Sequence, residues 1–499
     1  MVRFPKTMVC RSMARPTEGP DSSRSDGDGT VVIRILRQRI SNVPFRSVLL
    51  KPLGVIGMKP ATQNHRPITR TLGLAALLLI SLLGIRPASA QSSTIDRDIL
   101  LLQKILKQRP DPDLYYRLGD LYVQKGRQTG DITYFNLGGN SLREALKLQP
   151  DLAPAHRHLA FVLYSLHDFA GATAEARQAI KLDPNDSYAY GVLGDAQLET
   201  GEYPEAAGTY NRMVARNGDL YSYSRRSGLE TIRGESDLAI ADLNRAIDAG
   251  IRAGEPPEAV AWAQYTLAQD FFLLGRLDDA NRLGEASLKT FPNYHRASAI
   301  LGQVSAAELK LDRSADFYRR AIAVIPLPEY AAALADVYTQ MGRQRDAELQ
   351  RQLVEFITRL NVLNQVLYNR VLVDYYADHD INHKQAVKLA AGEYAIRKDI
   401  YGEDALAWAL YRDGQAEKAL PHIVAALRFR TADARIYFHA GMIYQAVGQT
   451  NKARSNLRQA LAINPHFQSL LDEVAAKEYA TLNKAHAKEY AEGNPDAPR

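Results

Sequence analysis

Residues 193–210 read LGDAQLETGEYPEAAGTY. Gly194 and Ala206 stand twelve apart, with Gly201 between them and Tyr210 just beyond. Residues 440–460, AGMIYQAVGQTNKARSNLRQA, follow the same plan with Gly441, Gly448, Ala453, Leu457 and Ala460. Small residues at such positions let two helices cross closely, because a larger side chain would hold the backbones apart. The glycine between them ends the first helix, since it takes the left-handed conformation cheaply. Each stretch therefore predicts a helical hairpin.

The same anchor recurs along the chain at Gly119, Ala160, Gly194, Ser227, Ala268, Gly302, Ala335, Arg370, Ala407 and Gly441, at spacings of 41, 34, 33, 41, 34, 33, 35, 37 and 34. A second small residue follows most anchors by twelve positions, as at Ala172, Ala239, Ala280, Ser314, Ala347 and Ala419. Prolines 150, 184, 292, 326 and 465 close several units, and a residue before proline resists the helical conformation. Two stretches break the rhythm. Gly126 to Asn140 predicts a longer loop in the first unit, and Ala249 to Pro257 predicts a loop and hinge between units four and five.

This periodicity resembles the tetratricopeptide repeat, a 34-residue helix–turn–helix unit. Its Leu-Gly, Tyr, Ala, aromatic and Pro positions are matched by Leu118-Gly119 with Tyr122, by Gly302 with Tyr318, Ala321 and Pro326, and by Gly441 with Tyr444 and Pro465. Arg370, Glu393, Met213 and Val354 depart from it. The resemblance covers about 113–466 and implies an all-α, right-handed superhelical solenoid of about ten repeats. Residues 91–112 form a lead-in helix, and 467–499 a capping helix with a frayed polar tail. It also implies a concave surface lined by the first helix of each unit. Carried onto this sequence, that surface comprises Tyr116, Asp120, Arg157, Phe161, Tyr164, Asp195, Tyr265, Gln269, Phe272, Gln303 and Asp336, with Trp262 one turn before Tyr265. About half are expected to pack between neighbouring units instead. Residues 405–411 and 438–442 resemble an exported bacterial family of such proteins.

The leader sets the expected compartment. Thr71 to Ile85 is apolar but short for a membrane span, which needs about 20 residues. Arg66 and Arg70 precede it and Ala88-Ser89-Ala90 follow, the arrangement of a secretory signal peptide cut after Ala90. Met58 is the expected start of that leader, so residues 1–57 read as an upstream extension and 58–90 as the signal peptide. The mature chain is then periplasmic, reached by the general secretion route.

Charge and composition narrow the function. Of the 62 Lys+Arg and 56 Asp+Glu, residues 1–90 hold 14 and 4, a net of +10, and the remainder carries −4. The basic balance belongs to the leader, and the body has no overall excess that argues for nucleic acid. Cys10 is the sole cysteine, which excludes a disulfide framework and a multi-cysteine metal centre.

Chemical candidates are few. His379 and His383, beside Asp378 and Asp380, have a metal-binding spacing on a helix, but the repeat phase puts them at a turn. His439 sits among apolar neighbours and reads as a satisfied core or groove histidine, while His156 and His158 read as solvated. Phosphate loops and a Gly-x-Ser-x-Gly elbow are missing. We therefore expect no catalytic site, no metal and no cofactor. The expected function is a periplasmic adaptor that holds an extended segment of an envelope protein in its groove. The alternative is an accessory of envelope biogenesis or polysaccharide export, guiding glycan or an outer-membrane component.

Overall fold

A computed structural model describes residues 88–363 and 370–493, and no strand occurs among them. The upstream extension, the leader up to residue 87 and the end of the polar tail lie outside the described residues. Helix α1 (Ala88–Gln108) leads in, so the expected cut after Ala90 falls in its first turn. No described helix is long and apolar enough to cross a membrane.

Ten helical hairpins follow. The first helices are α2 (Pro112–Thr129), α4 (Ala153–Ser165), α6 (Ser187–Glu199), α8 (Leu220–Ile232), α10 (Pro257–Leu273), α12 (His295–Ala307), α14 (Pro328–Gln340), α16 (Arg370–Asp378), α18 (Ile400–Arg412) and α20 (Ala434–Ala446). Their partners are α3 (Ile132–Leu148), α5 (Phe169–Leu182), α7 (Tyr203–Arg216), α9 (Ser236–Ala253), α11 (Leu277–Thr290), α13 (Leu311–Val324), α15 (Gln344–Leu363), α17 (His383–Tyr394), α19 (Ala416–Ala426) and α21 (Thr450–Ile463). Helix α22 (Asp472–Gly493) closes the array. Helices pack on their sequence neighbours along the array, except that α16 packs on α14 and α17 and not on the preceding α15, and this makes an all-α repeat solenoid.

Local chemistry sets the boundaries. Asp111, Asp131, Asp168, Asp186, Asp219, Asp399 and Asp433 accept hydrogen bonds from free backbone N–H groups at helix starts. At the anchors the helices nearly touch. A Cβ on Gly194 would sit 2.5 Å from the Tyr210 ring, and one on Gly441 2.6 Å from Leu457.

Three expectations need correction. The seven extra residues of the first unit are not loop: both helices of its hairpin run about one turn longer, and Gly126 is inside α2, buried beneath Phe135. The stretch from Ala249 is likewise the end of α9, stopped by Gly254 at φ +68°, and α9 packs on α10 without a break that would make a hinge. The anchor of unit eight is Val373, not Arg370. Val373 is fully buried, and Tyr376 follows it by three, as Tyr444 follows Gly441. Arg370 is one turn earlier, on the inner side.

The solenoid winds so tightly that it rests on itself. Gly130 of unit one faces Ile325, just before unit seven. Gly201 of unit three lies under the Lys398 carbonyl, before unit nine, and Gly234 of unit four under that of Arg430, before unit ten. Gly275 of unit five lies under the Ile463 carbonyl, after unit ten. The hairpin turn of each of these units thus meets the connecting loop about six units later. Polar bonds tie these windings: the Ile400 N–H donates to Tyr203 Oη at 2.8 Å, Asn464 Nδ2 to the Phe272 carbonyl at 2.7 Å, and the Thr431 hydroxyl to the Ile232 carbonyl. Residues 464–471 cross from winding to winding, with Gln468 donating to Asp378 at 2.7 Å and Ser469 accepting from Gln340 at 2.8 Å.

Candidate functional site

The inner side of the first helices carries the residues expected to meet a partner, and the structure divides them. Phe272 is buried in the core, and Asp195 is buried while accepting bonds from Tyr210 Oη at 2.9 Å and Arg225 Nε at 2.8 Å. Both are corrected to structural residues, because their polar or apolar surface is consumed by neighbouring units. Phe161 packs with Phe135, and Tyr164 lies on Phe169 and donates to Glu199 at 3.3 Å. These four residues hold helices of the array to one another.

The remaining eight keep some access. Tyr116 meets His158 edge-on at 5.2 Å, and His158 Nε2 is 3.1 Å from Asp120. Burial raises the Asp120 carboxyl, but the His158 hydrogen bond and charge outweigh it and hold the group below its ordinary value. Arg157 donates to Asp186 at 3.0 Å. Asp336 is 2.7 Å from His379 Nε2; its own burial raises its pKa. His379 is pushed down by burial, yet the Asp336 bond and charge raise it overall. Trp262 and Tyr265 are half-buried, with Tyr265 edge-on to Tyr294 at 6.4 Å. Gln269 and Gln303 are exposed.

The reading of two histidines changes too. His156 and His158 are not solvated: His156 Nδ1 is 2.5 Å from Glu175, and His158 is held by Asp120. His439 is buried, stacked on Trp408 at 4.1 Å and bonded to Asp404 at 2.9 Å. At the turn after α16, His383 pairs with Asp380 at 2.9 Å, and Arg412 reaches the same carboxylate at 2.6 Å. Among the described residues no three His, Cys, Asp or Glu side chains converge as a metal would require.

Sequence reading missed a buried ionic network in units three, eight, nine and ten. Arg397 grips Glu199 at 2.5 Å across the windings and Glu393 at 3.3 Å within its own unit. Arg370 holds Asp399 at 2.7 Å and Glu393 at 3.1 Å, and Arg435 holds Asp374 at 3.0 Å. Burial raises Glu199, Glu393 and Asp374, each partly offset by its arginine. Moving the unit-eight anchor to Val373, on the strength of Tyr376, would have placed Arg370 and Asp374 on the inner face. The contacts between windings had no local signal.

Residues 159–221 and 265–333 match the tetratricopeptide repeat family, and residues 434–467 match a second model of the same repeat. No curated protein matches the chain. Among solved structures, a thermophilic tetratricopeptide protein of Thermus thermophilus is 19% identical, over 44% of this chain and 100% of its own, with a TM-score of 0.34. YrrB, described as having an unusual peptide-binding site, is 18% identical over 37% of this chain and 92% of its own, at 0.26. The human IFIT1 dimer with m7Gppp-AAAA is 14% identical over 68% and 78%, at 0.43. Proteins built of this repeat are generally protein-interaction scaffolds.

Proposed function

Since the chain carries tetratricopeptide repeats, we propose that it is a non-enzymatic scaffold of the bacterial periplasm. It holds an extended segment of an envelope protein against the inner face of its first helices. One observation carries this reading: exposed Gln269 and Gln303 stand at equivalent positions on α10 and α12, beside half-buried Trp262 and Tyr265. Trp262, Tyr265 and Gln269 fall on one stripe of α10, because residues three and four apart share a helix face. Amide side chains can donate to and accept from the main chain of an extended segment. The flanking rings offer large contact area with a polar tip. Export rests on the leader of residues 58–90.

A photo-reactive residue at 269 or 303, in cells that express the protein, tests this. Both positions should capture the same envelope protein, and Tyr265→Ala should abolish capture. Recovery of that protein equally from a probe on the opposite face, at 388, would overturn the reading.

A further inference from the structure

Residues 381–465 sort their charges by side. They hold seven acidic residues, of which Glu393, Asp399, Glu403, Asp404 and Asp433 are buried at 7% exposure or less. Only Asp413 and Glu417 remain near the surface. Of the twelve basic residues, Arg397 and Arg435 serve the internal network and Arg412 pairs with Asp380. Nine are left outside: Lys384 and Lys388 on α17, Lys418 on α19, Lys452, Arg454 and Arg458 on α21, with Lys398, Arg428 and Arg430 in the connecting turns. Among the described residues none of the nine makes an ion pair. Earlier second helices mix both kinds of cation: Arg282 pairs with Asp279, Arg313 with Glu285, Arg319 with Asp316 and Arg351 with Glu348, while Arg177, Lys181 and Lys289 are exposed. The net charge of the body conceals this patch, because the neutralising carboxylates are on the inside.

We propose that this second-helix face of the last three units docks on an anionic phospholipid surface. Its cations are spread over three successive helices and do not follow a groove, as contact with a plane of headgroups requires. Exposed Val424 (50%) and Ile396 (41%) lie among them and can enter the headgroup boundary. A nucleic acid would favour exposed rings for base stacking, and every aromatic side chain of residues 381–465 is buried or half-buried. The face is opposite the one proposed for the protein partner, so either proposal can fail without the other.

Flotation of the full chain with vesicles reads the outcome. The chain should bind phosphatidylcholine vesicles containing phosphatidylglycerol and release in high salt. One basic residue near such a surface is worth about fivefold in binding, so the K388Q/K418Q/R458Q variant should bind ~100-fold more weakly. The R177Q/K181Q/K289Q variant, with three exposed cations removed from earlier second helices, should bind like the parent. Equal binding to pure phosphatidylcholine, or undiminished binding of the first variant, would overturn the proposal by assigning attachment to another part of the chain. Tighter binding of a single-stranded oligonucleotide, lost in the same variant, would overturn it in favour of nucleic acid.

Discussion

Replacing Gly201 by alanine should separate the windings, and Gly414 supplies the internal control. Both glycines end a first helix in the left-handed region, at φ +79° and +75°. Alanine there costs roughly 1–2 kcal/mol at either position. Only Gly201 has a neighbour above it: its new Cβ would fall 2.5 Å from the Lys398 carbonyl oxygen, whereas nothing lies within 4 Å at Gly414. That oxygen is backbone and cannot rotate away, so the overlap should add about 1–3 kcal/mol. Gly201→Ala is thus expected to lose about 2–5 kcal/mol, and Gly414→Ala about 1–2. Native-state hydrogen exchange tests the cause as well as the size. In the first variant, exchange should quicken in α6 and α7 and also in α18, nearly two hundred residues away. In the second it should quicken in unit nine alone. Equal losses in both variants, with no response of α18 to Gly201→Ala, would refute the turn-on-turn packing.

Further outcomes follow from the same contacts. Arg397→Met leaves Glu199 and Glu393 buried without their shared cation, and should cost about 3–5 kcal/mol. Small-angle scattering should then show a larger radius of gyration; an unchanged radius and unchanged stability would count against the clasp. Asp270, bonded to the Thr231 hydroxyl at 3.1 Å, is pushed by burial up to about 7. Its folded pKa exceeds the unfolded one, so the fold binds this proton more tightly and loses stability as pH rises from about 4 to 7. Asp270→Asn should flatten that slope and gain up to about 4 kcal/mol above pH 7 in urea melts, and an unaltered slope would contradict it. Gly194→Ala drives a methyl into the Tyr210 ring and should cost about 1–3 kcal/mol by the same melts, with wild-type stability as the contrary result.

The hairpins were legible because their rule is local. Gly194 against Tyr210 and Gly441 against Leu457 sit at fixed spacing within one unit, and the intervening glycines mark the turns. Reading Gly126 as a helix end failed for a physical reason: a hairpin can lengthen by adding one turn to each arm, and about seven extra residues do this without a loop. The inner face was half legible. Helical spacing grouped Trp262, Tyr265 and Gln269, but it could not show that Asp195 is consumed by Arg225 from the next unit. Nor could it show that Glu199 meets Arg397, because pitch depends on small rotations summed over six units. The basic face was legible only after burial had taken five carboxylates out of the sum.

A repeat array normally has mechanical and thermodynamic continuity only along its sequence. Here the loops resting on Gly201, Gly234 and Gly275 make the chain a coil spring whose adjacent windings adhere. Pulled from its ends, it should resist at first as these bonds part almost together, and then extend softly as a free spiral.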